Sequence, residues 1–116
     1  MKFVKKEEAE IIVNSNTSHL IEYSKRLNDK EMDLCINTIK GRYPETGYCS
    51  NLKCKEMCYI LAGNGTINKK DESINFKQGD VILIGKEEVY FWEGNCQIIM
   101  VCNPAWFKEQ CKLLDK

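Results

Sequence analysis

Punctuation is the feature that most constrains how this chain can fold. Turn-forming clusters recur along its whole length, at Asn14-Ser15-Asn16, Leu27-Asn28-Asp29-Lys30, Gly41 to Gly47, Asn64-Gly65, Lys69 to Glu72, Lys77-Gln78-Gly79-Asp80, Gly85 to Glu88 and Gly94-Asn95. Glycine and asparagine tolerate the backbone angles of tight turns, and proline presets one of them. Between the clusters lie runs of strand length, among them Ile11 to Val13, Thr17 to Tyr23, Met32 to Ile39, Glu56 to Leu61, Ser73 to Phe76, Val81 to Ile84, Val89 to Trp92 and Gln97 to Val101. Many short strands separated by turn signals indicate a closed all-β barrel or sandwich. Asn64-Gly65 reads as a type I′ hairpin turn, and Gly94-Asn95 as the turn of a last hairpin. Val81-Ile82-Leu83-Ile84 is apolar without interruption, as expected of a strand buried on both faces. Lys5 to Glu10 is helical or irregular in this reading, and Trp106 to Leu114 forms a short helix.

At 116 residues the chain is expected to form one domain, 1–116, large enough to bury a core. Lys plus Arg and Asp plus Glu each number 17, giving no net charge. A nucleic-acid partner is therefore not expected, because phosphate binding needs a basic face. No apolar run approaches the ~20 residues of a membrane helix, and no signal-peptide pattern opens the chain. A soluble, cytoplasmic protein without a membrane partner is expected. The seven cysteines are odd in number and accompany no export signal, so free thiols are expected over a disulfide framework.

The stretch Glu-Met-Cys-Tyr-Ile-Leu-Ala-Gly-Asn-Gly, residues 56 to 65, carries one carboxylate at the head of an otherwise apolar strand. Alternation places Glu56, Cys58 and Ile60 on one face and Met57, Tyr59 and Leu61 on the other. The apolar content of both faces predicts little solvent on either side. Glu56 and Gly63 are separated by six residues. Further on, Gly79 opens a second pattern in which Gly85, Glu87, Tyr90 and Gly94 follow.

These two stretches resemble the motifs of the cupin family of small β-barrels. The first cupin motif ends in glutamate, six residues and glycine, as at Glu56 and Gly63. In the second, Gly79 matches the opening glycine, Gly85 stands at the proline, Glu87 at the next glycine, Tyr90 at the histidine and Gly94 at the asparagine. The resemblance implies an all-β, double-stranded β-helix (jelly-roll) barrel spanning roughly 32–102, with short irregular or helical termini. Metal-binding cupins use two histidines before the glutamate and one in the second motif. Here the earlier positions fall on Cys49 and Asn51, or on Ser50 and Leu52, and the later one on Tyr90. The sole histidine, His19, lies far upstream. Only Glu56 keeps its type, and a lone carboxylate with amide, hydroxyl or phenol partners makes a poor site for a transition metal. Neither a metal nor another cofactor is expected.

Each candidate residue has a functional and a structural reading. Glu56 is a general base or a hydrogen-bond acceptor for a ligand hydroxyl, or else a structural carboxylate paired with Arg42 or a lysine. Tyr90 and Trp92 share a strand face and form either an aromatic wall or plain core packing. Arg42, beside Tyr43 in the glycine-bounded loop, clamps an anion or lies on the surface. Asn51 donates into the pocket or caps a turn. Cys49, Cys54 and Cys58 match no common zinc spacing and read as small buried hydrophobes against a thiolate site. His19 reads as structural or exposed. The leading expectation is a metal-free barrel that binds a small polar molecule, such as a sugar or sugar phosphate, through Arg42, Tyr43, Asn51, Glu56, Tyr90 and Trp92. A sugar isomerase or epimerase, with Glu56 moving a proton and Tyr90 as acid, is the enzymatic alternative. A sensory or structural homodimer, with Trp106 and Phe107 in the tail packing across the interface or back onto their own barrel, is the third.

Overall fold

Two long strands carry the architecture. In the computed structural model, which describes residues 1–115, β5 (Lys55–Asn68) and β8 (Val89–Asn103) run antiparallel along almost their whole lengths. The other edge of β8 takes β3 (Asp33–Tyr43) along the whole length of β3. A hairpin of β1 (Glu10–Ser15) and β2 (Ser18–Glu22) extends this sheet beyond β3. On the far side β6 (Ser73–Lys77) and β7 (Val81–Ile84) pair with opposite ends of β5. The start of β8 also pairs with β4 (Tyr48–Asn51), which in turn takes β9 (Cys111–Leu114). One short helix, α1 (Ser24–Leu27), joins β2 to β3. The sheet curls into an all-β barrel, one of the two architectures, barrel or sandwich, that the turn spacing allows. No helix among the described residues is long and apolar enough to cross a membrane.

Both asparagine–glycine turn signals fail, and for one reason. Neither Asn64-Gly65 nor Gly94-Asn95 reverses the chain; β5 and β8 run straight through them. Gly65 faces Gly94 across the ladder, and Gly94 faces Gly41 on β3. A Cβ on Gly94 would come within 2.5 Å of the Asn64 carbonyl oxygen and 2.6 Å of the Gly65 Cα. These glycines permit close strand approach where the sheet bends, a use of glycine that looks the same in sequence as a turn. Leu61 sits in a bulge between the paired Ile60 and Ala62, which reverses the side-chain alternation before the bend.

The core lies on the inner face. Ile39, Ile60 and Ile98 are fully buried, and Trp92 packs edge-on against Phe76 and Tyr90. Two strands expected to be buried on both sides are not. Met57, Tyr59 and Leu61 of β5 and Val81 and Leu83 of β7 are exposed on the outer face, because no second layer covers it. The tail also differs from expectation. Residues 108–110 make one 3-10 turn and residues 111–114 make β9, because the free edge of β4 offers hydrogen-bond partners to that backbone.

Candidate functional site

The three adjacent strands β3, β8 and β5 put their inward residues in rows. The first row is Asp33, Cys102 and Glu56; the next is Cys35, Met100 and Cys58; the third is Asn37, Ile98 and Ile60. The first row forms one wall of a cavity of about 400 Å³. Tyr43, Cys49, Asn51, Tyr90 and Trp92 line it from the neighbouring strands, and Trp106, Lys108 and Cys111 line it from the tail. Glu56, Asn51, Tyr43, Tyr90 and Trp92 thus line one cavity.

Arg42 does not join them. Its guanidinium donates to the carbonyls of Pro44 and Gly47 and lies 3.7 Å above the Phe91 ring, so its donors hold the loop after β3. It forms no ion pair with Glu56. Strand alternation turns consecutive side chains to opposite faces, and Tyr43 takes the inward one. His19 is exposed on β2. The tail folds back on its own barrel: Gln110 is 2% exposed and reaches under β4.

Gln110 also sets the polarity of a hydrogen-bond relay. Its carbonyl oxygen accepts from the backbone N–H of Lys53 and of Cys54, each at 3.2 Å. Its amide nitrogen is therefore the donor to Asn51 Oδ1, at 2.9 Å. That leaves Asn51 Nδ2 to donate to the Tyr90 hydroxyl oxygen, at 3.4 Å. Tyr90 consequently keeps its own proton for Glu56 or for the cavity. The Asn51 to Tyr90 contact is long and weak; the bonds around Gln110 fix the order.

Glu56 is 7% exposed. The Cys102 thiol donates to its Oε2 at 3.2 Å and the Cys58 thiol to its Oε1 at 4.0 Å, and the Tyr90 ring lines the same cavity. Neither donor is charged. Burial therefore holds the Glu56 carboxyl above its ordinary range, and the charge of Asp33 adds to this. Asp33, equally buried, was not singled out from sequence; its only signal was its place at the head of a strand. Burial pushes its carboxyl up to about 6, opposed by a hydrogen bond from the Trp106 backbone N–H at 3.0 Å and assisted by Glu22. Burial raises the thiols at the cavity: Cys49 stands at about 12, and Cys102 and Cys35 are also raised. These cysteines are protonated and poor nucleophiles.

Alternation resolves which residues stand at the metal-ligand positions of the motif. Cys49 and Asn51 face the cavity with Glu56 and Tyr90, whereas Leu52 is exposed. A protonated thiol, an amide, a carboxyl and a phenol whose proton burial holds in place do not suit an imidazole-preferring metal. Among the described residues, no group of three or more His, Cys, Asp or Glu is placed to hold a metal ion. All seven cysteines are free thiols, and Cys49, Cys54 and Cys58 do not converge on one point.

No protein-family model matches the chain. No curated protein matches it either. Solved structures do. PAC13 from Streptomyces, in a variant bound to uridine, superposes with a TM-score of 0.85 at 16% identity, covering 99% of this chain and 92% of that one. PAC13 is described as a nucleoside dehydratase. An RmlC-like cupin from Shewanella frigidimarina gives 0.71 at 16% identity, covering 89% and 90%. Ectoine synthase from P. lautus gives 0.71 at 17% identity, covering 98% and 90%. The chain therefore has the cupin fold, a β-barrel built on the same strand plan as these proteins.

Proposed function

We propose that the barrel binds a small, uncharged, polyhydroxylated molecule, of the sugar or nucleoside class, in the cavity bounded by Glu56 and Asp33. The observation that carries this reading is the wall itself: two buried carboxyls, the amides of Asn37 and Asn51, and the rings of Tyr43, Tyr90, Trp92 and Trp106 around about 400 Å³. Hydroxyl groups match carboxyl and amide partners, and flat or ring-shaped faces match aromatic ones. A phosphate ester fits less well. Glu22, Asp33 and Glu56 all face the space, Lys108 is the only basic residue in its lining among the described residues, and Arg42 is engaged elsewhere. PAC13, with its uridine complexes, lends the nucleoside class support by analogy of fold alone.

Titration calorimetry with glucose, glucose 6-phosphate, uridine and uridine monophosphate tests this. A neutral compound is expected to bind, with its phosphate ester weaker by about tenfold or more, and Glu56→Gln is expected to weaken binding. Tighter binding of the phosphate esters would refute it.

A homodimer is a second reading, supported by the outer face of β5 and β7. Met57 at 52%, Val81 at 59% and Leu83 at 56% exposed form an apolar patch that a second copy would cover. The tail is less suited to that task, since it is already paired with β4. Light scattering should give twice the chain mass for the wild type and the chain mass for Leu83→Lys. A concentration-independent monomer would sink this reading.

A further inference from the structure

We propose that Asp33 is the second working group of the cavity, forming with Glu56 an acid–base couple that moves one proton within a neutral hydroxy-carbonyl ligand. This rests on the binding site proposed above and adds a reaction and a residue to it.

The geometry is the register of the central strands. Asp33 and Glu56 flank Cys102 in one row, on the two strands either side of β8, and both look into the same cavity. Neighbouring strands lie about 4.8 Å apart, so the two carboxyls approach a bound ligand from two sides. Their surroundings differ in kind. Asp33 accepts a backbone N–H from Trp106, a donor well suited to a carboxylate. Glu56 meets only the thiols of Cys102 and Cys58 and the Tyr90 phenol. The backbone donor supports a carboxylate on Asp33 better than the weaker thiol and phenol donors support one on Glu56, so of the two Asp33 is assigned as the base and Glu56 as the acid. The other ionisable groups around the pair are Glu22 from β2, Cys35 from β3, Tyr43 and Cys49 beside it, Cys111 from the tail and Lys108 at the mouth. Glu22 adds to the negative field, and Lys108 is exposed.

The step balances without a further reactant. The Asp33 carboxylate takes the proton from a ligand carbon next to a carbonyl. The C–H electron pair becomes the new carbon–carbon double bond, and the carbonyl π pair moves to oxygen. That oxygen takes the proton of the Glu56 carboxylic acid. The products are an enol, protonated Asp33 and ionised Glu56; reversal onto the neighbouring carbon gives the isomer and restores both groups. Sequence alone leaves Glu56 as a general base, a hydrogen-bond acceptor or a structural carboxylate. Its surroundings make it the acid.

Deuterium incorporation from D2O into dihydroxyacetone, D-xylulose and D-fructose, followed by proton NMR, tests the couple. The wild type should exchange the hydrogen next to the carbonyl above the buffer rate on at least one of them, faster as pH rises through about 6. Asp33→Asn and Glu56→Gln should each lose about a hundredfold, with the fold checked by circular dichroism. Arg42→Ala should exchange as the wild type does. Exchange at the buffer rate on all three probes, or a wild-type rate in Asp33→Asn, would overturn the proposal. Calorimetry on the same probes separates the two readings: binding without exchange leaves the binding site standing and removes only the couple.

Discussion

Replacing Asp33 by asparagine should change how stability depends on pH. Asp33 titrates near 3.8 when free and at about 6 in the fold, chiefly because of burial. Between those values the folded chain binds more protons at this site than the unfolded chain. Stability is therefore highest below pH ~4 for this group, and it falls as pH rises until ~6 is passed. A shift of about two units corresponds to about 3 kcal/mol at full burial. Because the carboxyl opens on a solvent-reachable cavity, screening reduces this to about 1–2 kcal/mol. For a chain of this length about 4 °C of melting temperature accompanies each kcal/mol, so the contribution is roughly 4–8 °C. Asparagine retains an oxygen for the Trp106 N–H and has nothing to titrate. The assay is thermal unfolding at half-unit steps from pH 4 to pH 7, read as the difference between wild type and variant. Asp29, Asp80 and Glu88 are held low, mainly by backbone N–H donors, and contribute with the opposite sign in both proteins, so they cancel. The variant should gain on the wild type across this window and be the more stable at pH 7. A difference that stays flat, or that moves the other way, would refute the assignment of Asp33 as a buried, proton-holding wall residue.

Other substitutions probe the frame around the site. Gly94→Ala places a Cβ against Asn64 and Gly65 and should cost about 2–4 kcal/mol in urea unfolding. Gln110→Ala strands the N–H groups of Lys53 and Cys54 and the oxygen of Asn51; a loss of about 2–3 kcal/mol and faster amide exchange at Cys54 are expected. Arg42→Ala should speed exchange in the loop 44–47 and leave glucose or uridine affinity unchanged; a large loss of affinity would return Arg42 to the site. Trp92→Ala, which empties the side chain packed between Phe76 and Tyr90, should cost about 3–5 kcal/mol by the same urea measurement.

The sequence by itself determined the class of fold and singled out Glu56 as the one carboxylate of an apolar strand. Strand-length runs between turn clusters leave few options other than a β-barrel, and the spacing of Glu56, Gly63 and Tyr90 carried the resemblance to cupins. Alternation along β5 placed Glu56, Cys58 and Ile60 on one face, because side-chain direction in a strand is a local property, and the fold made that face the buried one. Tertiary structure decided what depends on partners distant in sequence. Gly65 and Gly94 read as turns until they are seen facing each other across two strands, which no single stretch records. The outer face of Val81 and Leu83 looked like core because apolar composition does not say whether a second layer exists. Asp33 carries no local mark beyond its place at the head of a strand. It matters because pairing sets it beside Cys102, sixty-nine residues away in the chain, with Glu56 on the other side. The same pairing buries Glu56, the stretch's one carboxylate, beside Cys102 and near Asp33, which holds its carboxyl above the ordinary range: the protonation of a carboxyl depends on its burial and on the groups around it, and only the fold brings those together.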